Sequence, residues 1–153
     1  MFDQMKTTNA RAAWLGILAR APAATIAGLV AGSEIPLPAH MRLRGPEIGM
    51  AMMRGRMGGG GDAFNLGEMT VARCSIRDAA GRVGHGYAAG RDLVQVELIA
   101  RLDAALQDTA LHAIYDDAVI KPLAAAQAAR REIVEAQAAA TEVKFFTLAT
   151  MRS

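Results

Sequence analysis

The chain has 153 residues, of which 52% are hydrophobic and 21% charged, with a formal net charge of +2. That is the size of one domain, read as a single unit over residues 1–153, and is long enough to bury a core without disulfides or metals. One cysteine, Cys74, excludes an intrachain disulfide and a cysteine-based zinc site, and fits a cytoplasmic protein.

Residues 7–20 read as a helix, with Trp14, Leu15, Ile17 and Leu18 as its apolar stripe. Lys6 and Arg11 precede an apolar run, Ala12–Ala19, that Arg20 ends. The run is short and continues an amphipathic pattern, so it reads as helix rather than as a signal peptide. No run approaches the length of a membrane span. Pro22 suits a first helical position, and Ala23–Val30 is a second short helix. Gly32–Pro38 is a linker whose two prolines fit neither a helix interior nor a central strand.

The middle of the chain is the β part. Ile48–Arg56 reads as a strand with Ile48, Met50, Met52, Arg54 and Arg56 on one face. Four glycines, Gly58, Gly59, Gly60 and Gly61, follow, then a turn at Asn65-Leu-Gly-Glu68. Thr70–Arg77 is the second strand, with Thr70, Ala72, Cys74 and Ile76 on one face and Val71, Arg73, Ser75 and Arg77 on the other. Asp78–Arg82 is a hairpin connection with Gly81 as its positive-φ residue. Val83–Ala89 is the third strand. Gly84, Gly86 and Ala88 leave one of its faces nearly bare, so a helix or a partner chain must pack closely there.

Asp92 caps the next helix, with Gln95 placed to reach back as in a capping box. Its expected core face is Val94, Leu98, Leu102, Ala105 and Leu106, with Glu97, Arg101 and Asp108 in water. A short helical stretch covers His112–Ile120. Pro122 then opens a long alanine-rich helix to about Ala140, with Arg131 and Glu135 paired at i,i+4. Glu142–Leu148 is a fourth strand. Helices, strands and helices in this order predict an α+β domain: an antiparallel meander of three to four strands packed with N-terminal and C-terminal helices.

The near-neutral total hides a basic centre. Between Arg42 and Arg91 eight arginines face four acids, and lysine occurs only at 6, 121 and 144. Arginine forms forked hydrogen bonds to phosphate and carboxylate where lysine acts as a point charge. Arg54, Arg56, Arg73 and Arg91 are candidates to converge on a polyanion, or else are solvated strand-face charges. Four glycines in a row lose much backbone entropy on ordering, so the loop suggests a tight turn or a close approach by ligand or partner. It is no P-loop, because Gly-Lys-Ser/Thr is absent and a strand follows. Glu68 suits an arginine-orienting or acid–base role, or a strand-entry salt bridge. His85 stands without a nucleophile or orienting acid and reads as a hydrogen-bonded structural residue. His40 and His112 show no metal-ligand spacing. Cys74 lies on the apolar alternation and is expected buried and inert. No catalytic triad, carboxylate pair or metal cluster is visible.

The order of motifs resembles one family. Arg54–Met57 with the glycine run, Phe64-Asn-Leu-Gly-Glu68, Thr70-Val-Ala-Arg73, Gly84-His-Gly-Tyr87 and Gly90-Arg-Asp92 are similar to the PhnG family, one of the subunit families of the bacterial carbon–phosphorus lyase system. Ala13-Trp-Leu15, Leu18-Ala-Arg-Ala21 and Val143-Lys-Phe-Phe-Thr147 extend the likeness over nearly the whole chain. The resemblance implies a hetero-oligomer with the carbon–phosphorus lyase subunits H, I, J and the ATP-cassette-like subunit L, with two copies of the PhnG chain per core complex. It implies support for a reaction in which an alkylphosphonate displaces adenine from the ribose C1′ of MgATP. The PhnG chain is required for that step, the nucleosidase-like chemistry being assigned to subunit I, and it carries no catalytic residue of its own. MgATP is then a substrate of the complex, and no cofactor, metal, nucleic acid or membrane is expected on this chain. The substrate-binding or interface candidates are Arg54, Arg56, Gly58, Gly59, Gly60, Gly61, Glu68, Arg73, His85 and Arg91. A purely structural adaptor, or a free-standing phosphate- or nucleotide-binding protein, is the alternative.

Overall fold

A computed structural model describes residues 2–141. Two helices, α1 (Phe2–Leu18) and α2 (Ala23–Gly32), precede three strands, β1 (His40–Arg56), β2 (Ala63–Asp78) and β3 (Val83–Ala89). Three helices follow: α3 (Leu93–Leu106), α4 (Thr109–Tyr115) and α5 (Lys121–Ala140). The strands form one antiparallel sheet in the order β1-β2-β3. This is the expected α+β meander; the expected fourth strand, 142–148, lies outside the described residues.

The sheet carries its core on one face. Ala72, Cys74 and Ile76 of β2 and Ala88 of β3 are buried against Val96, Ile99 and Ala100 of α3. The bare face of β3 is where α3 comes closest. A Cβ at Gly84 would stand 1.9 Å from the carbonyl oxygen of Ala100, and one at Gly86 1.8 Å from that of Val96. The chain covers its own glycine face, so that face is not surface awaiting a partner. Trp14, Leu18, Ile26, Tyr115 and Leu123 close the core from the helical side.

α3 departs from its expected face. Val94 is 64% exposed, while Val96, Ile99, Ala100 and Asp103 are fully buried together with Leu102 and Ala105. The helix is covered by the sheet on one side and by other helices on the other, and a helix buried nearly all round has no single apolar stripe to read. Asp92 caps it as expected, its Oδ1 accepting from the Gln95 backbone N–H at 2.9 Å. The Gln95 side chain does not close a capping box. It donates instead to the carbonyls of Ala21 at 2.7 Å and Ala19 at 3.3 Å, where α1 has ended.

Both long strands run well beyond their expected starts. β1 begins at His40, although Pro46 lies inside it, because β1 is an edge strand and two register shifts, between Arg42 and Arg44 and between Arg44 and Glu47, absorb the irregularity. β2 begins at Ala63, so Asn65–Glu68 is strand rather than turn, with a register shift where Arg54 pairs Asn65 and Met53 pairs Gly67. The expected hairpin at Asp78–Arg82 is present, with Gly81 at φ 86. α4 passes into α5 through a π turn, Asp116–Ile120, in which the Lys121 N–H bonds to the Asp116 carbonyl. Pro122 lacks the N–H that a regular helix would use, and the widened turn accommodates it. Arg131 and Glu135 form no ion pair among the described residues.

Candidate functional site

The sheet is three-stranded only over part of its length. β3 pairs β2 from Val71 to Arg77. From Ile48, which pairs with Ala72, β1 and β2 continue as an arm, residues 48–69, that is two-stranded beyond the Gly49–Val71 pair, and none of its described residues belongs to the buried core. Arg54, Arg56, the glycine run and Glu68 lie on this arm; Arg73, His85 and Arg91 lie at its base.

At the tip, Met57–Gly59 forms a single 3-10 turn. Gly58 sits at φ 60, which favours glycine, and a Cβ at Gly61 would stand 2.8 Å from the Met57 carbonyl oxygen. Gly60 has nothing within 4 Å, so the fold itself makes no demand for glycine there. Arg56 Nη1 donates to the Gly61 carbonyl at 3.2 Å and braces the loop. Arg54 and Glu68 are exposed, and Glu68 forms no ion pair among the described residues.

At the base, Arg73 Nε donates to Glu47 Oε1 at 2.6 Å, and Arg44 Nε meets the same oxygen at 2.6 Å. The Arg73 hydrogen bond, joined by the charges of both guanidiniums, holds the Glu47 carboxyl below the usual carboxylate range. His85 Nδ1 lies 2.9 Å from Ser75 Oγ, which fits the structural reading of that residue. Arg91 is exposed just after Gly90, whose N–H bonds to the Thr70 carbonyl at 2.9 Å. Cys74 is 2% exposed, and burial pushes its thiol pKa up, as expected for an inert cysteine.

The four arginines do not converge. Arg54 pairs with Asn65, and the β2 stretch from Asn65 to Arg73 spans about 26 Å at the usual rise of a strand. Strand order brought Arg54, Arg56 and Arg73 onto one sheet, but the length of the hairpin, hidden by reading Asn65–Glu68 as a turn, keeps the first two apart from the third.

Three constellations escaped the sequence reading. Asp103 is fully buried, and its carboxylate accepts from Arg11 Nε at 3.0 Å and Nη2 at 2.7 Å, Trp14 Nε1 at 3.0 Å and the His85 N–H at 2.8 Å. It ties α1, β3 and α3 together. Ala13-Trp-Leu15 and Gly84-His-Gly-Tyr87 stood out as motifs, yet nothing in their spacing pointed to a shared acid. The second is an open cleft of about 470 Å³ lined by Arg20, Gln127, Arg130, Arg131 and Val134. Arg20 Nε donates to Gln127 Oε1 at 3.2 Å and Gln127 Nε2 to the Ile17 carbonyl at 2.8 Å, which joins α5 to α1 across it.

A third charged group joins β1 to α3. Arg42 meets Glu97 through two hydrogen bonds of 2.8 Å each, and His40 Nε2 lies 3.2 Å from the same carboxylate. Glu97 is therefore half-buried rather than in water, and the Arg42 hydrogen bonds hold its pKa down. Among the described residues no group of His, Cys, Asp or Glu is placed to hold a metal ion, and no single helix is long and apolar enough to cross a membrane.

Comparison with known proteins matches the motif order. The family model described as phosphonate metabolism protein PhnG matches residues 9–151. The chain is 44% identical over 106 residues to the alpha-D-ribose 1-methylphosphonate 5-triphosphate synthase subunit PhnG of Rhizobium meliloti (strain 1021), covering 69% of this chain and 67% of that relative. The arm with its glycine tip, the glycine face under α3 and the Asp92 cap all fall inside the span of the family model, and the chain belongs to the PhnG family of phosphonate metabolism proteins.

Proposed function

We propose that this chain is a required accessory subunit of an α-D-ribose 1-methylphosphonate 5-triphosphate synthase, the cytoplasmic carbon–phosphorus lyase core complex. The observation that carries this is the 44% identity to a subunit of that synthase. In the complex an alkylphosphonate displaces adenine from C1′ of the ribose of MgATP, with subunits H, I, J and L as partners and two copies of this chain per core. MgATP is a substrate of the assembly, and this chain holds no cofactor and is inactive alone.

The physical need for such a subunit follows from the reaction. A phosphonate and a nucleoside triphosphate are both anions, and bringing them together requires fixed cationic donors and accurate positioning. Arg54, Arg56 and Arg91 are exposed and form no ion pair among the described residues, so their charge is available to another subunit or to a bound anion. Arg73 has less to give, because Glu47 already accepts from it.

The test is reconstitution. The synthase subunits are assembled with and without this chain, and adenine release from MgATP is measured in the presence of methylphosphonate. Full activity without the chain would overturn the reading, and MgATP binding by the isolated chain would favour a free-standing nucleotide-binding protein instead. The expected outcome is loss of release, by a factor of at least about 100, an effect of about 2.7 kcal/mol on the barrier.

A further inference from the structure

A two-stranded ribbon does not hold its shape in water unaided; independent stability needs a third strand or a packed face. Beyond the Gly49–Val71 pair the arm has neither among the described residues. Ile48, Met50 and Met52 extend the face that α3 covers at Ala72, but α3 does not reach them, and they are 51%, 65% and 59% exposed. On the opposite face Met53 and Phe64 are 41% and 42% exposed, and Leu66, 60% exposed, lies over Gly55, where a Cβ would come within 2.5 Å of it. Met57 at the tip is 75% exposed.

Summed over both faces and the tip, these side chains present on the order of 700 Å² of apolar surface, near the ~800 Å² that one partner gives a stable interface. The outer edge of β1 is also unevenly protected. Pro46 and two register shifts guard its first half, while Ile48–Met53 runs in regular register with its outer edge unpaired among the described residues. Methionine is the adaptable choice for such a surface, since its unbranched thioether fits irregular apolar contours.

We infer that the arm of residues 48–69 is a docking tongue that inserts into an apolar cleft of a different polypeptide, enclosed on both faces. That cleft carries carboxylates on the side facing Arg54 and Arg56, which share the face of Met52 and outnumber its one acid, Glu68. A second copy of this chain is a poor occupant. Its cleft between α1 and α5 is lined mainly by Arg20, Arg130 and Arg131, which would repel Arg54 and Arg56, and pairing arm to arm leaves one apolar face of each in water. The inference rests on the reading of the chain as a synthase subunit and deepens it by naming the element that makes the contact.

The test uses the co-expressed synthase assembly. Met50→Glu with Met52→Glu loads one face of the arm with charge, and Phe64→Glu with Leu66→Glu loads the other; all four positions are exposed, so the core is untouched. Each pair is expected to reduce recovery of this chain with its partner subunits at least tenfold, with the circular dichroism and melting temperature of the isolated chain unchanged. As a second measurement, photo-crosslinkers at Met52 and at Leu66 are expected to capture a synthase subunit other than this one. Wild-type recovery of both double variants would overturn the inference, as would crosslinks only between copies of this chain. If even the wild-type chain fails to join the assembly, the subunit reading itself falls.

Discussion

Asp103 shows how a single residue can organise a fold without announcing itself. It lies on α3 two residues beyond Arg101, where a carboxylate would ordinarily face water. In the fold it is fully buried and accepts four hydrogen bonds, two of them from Arg11. Burying a charge is costly unless it is paired and hydrogen-bonded, and here it is both. Removing it leaves the Trp14 indole N–H and the His85 backbone N–H without their acceptor, and Arg11 without its counter-charge. Asp103→Ala is expected to destabilise the chain by about 3 kcal/mol, a fall of roughly 10 °C in Tm by differential scanning fluorimetry. Asp103→Asn is expected to lose less than Ala, because the amide oxygen still accepts one of the N–H groups. A melt unchanged in both would show that the network contributes nothing.

At the scale of elements, the packing of α3 on β3 is set by the absence of side chains. Gly86→Ala would push a methyl group into the Val96 carbonyl, and that contact is helix backbone, which cannot rotate away. The expected cost is about 3 kcal/mol or more, read as loss of soluble chain or a lower denaturation midpoint. Gly49→Ala, on the arm with nothing within 4 Å, is the contrasting case and is expected to stay within about 0.5 kcal/mol of the parent.

The elements are also joined by carboxylates whose pKa values are held down: Glu47 between β1 and β2, Glu97 between α3 and β1, and Asp78 at the β2–β3 turn. For Asp78, burial pushes upward, but hydrogen bonds from the Arg82 side chain and backbone outweigh it. All three remain ionised in the fold at pH values where the unfolded chain has taken up protons. Their contribution is therefore present above the ordinary carboxylate pKa and is lost as pH falls below about 4.5. Thermal melts from pH 7 to pH 3 are expected to be level at first and then to drop, and Glu97→Gln is expected to remove part of the drop. A Tm that does not change down to pH 3 would contradict this.

For the whole molecule, the decisive feature is that one half of the sheet has a core and the other half does not. Strand alternation and turn residues were legible along the chain: β3 spans Val83–Ala89 as read, Gly81 turns the second hairpin, and Asp92 caps α3. The motif order alone identified the family, because motifs persist as local sequence. Glycines and prolines were harder to read, since each has several uses. β1 was expected only from Ile48, yet it begins at His40 and passes through Pro46, which an edge position tolerates. The Asn65–Glu68 segment mimicked a turn but continues a strand, and Pro122 marked a helix start where a π turn carries the helix through. What the chain determined by itself is therefore its local order: that helices flank a central β part, where the Asp92 cap and the Gly81 turn fall, and to which family it belongs. Only the tertiary structure decided that the glycine face belongs to α3, that Asp103 is interior, and that Arg54 and Arg56 stand far from Arg73. Those outcomes depend on how far each strand runs before a neighbour covers it, a long-range packing distance that no local pattern of residues encodes.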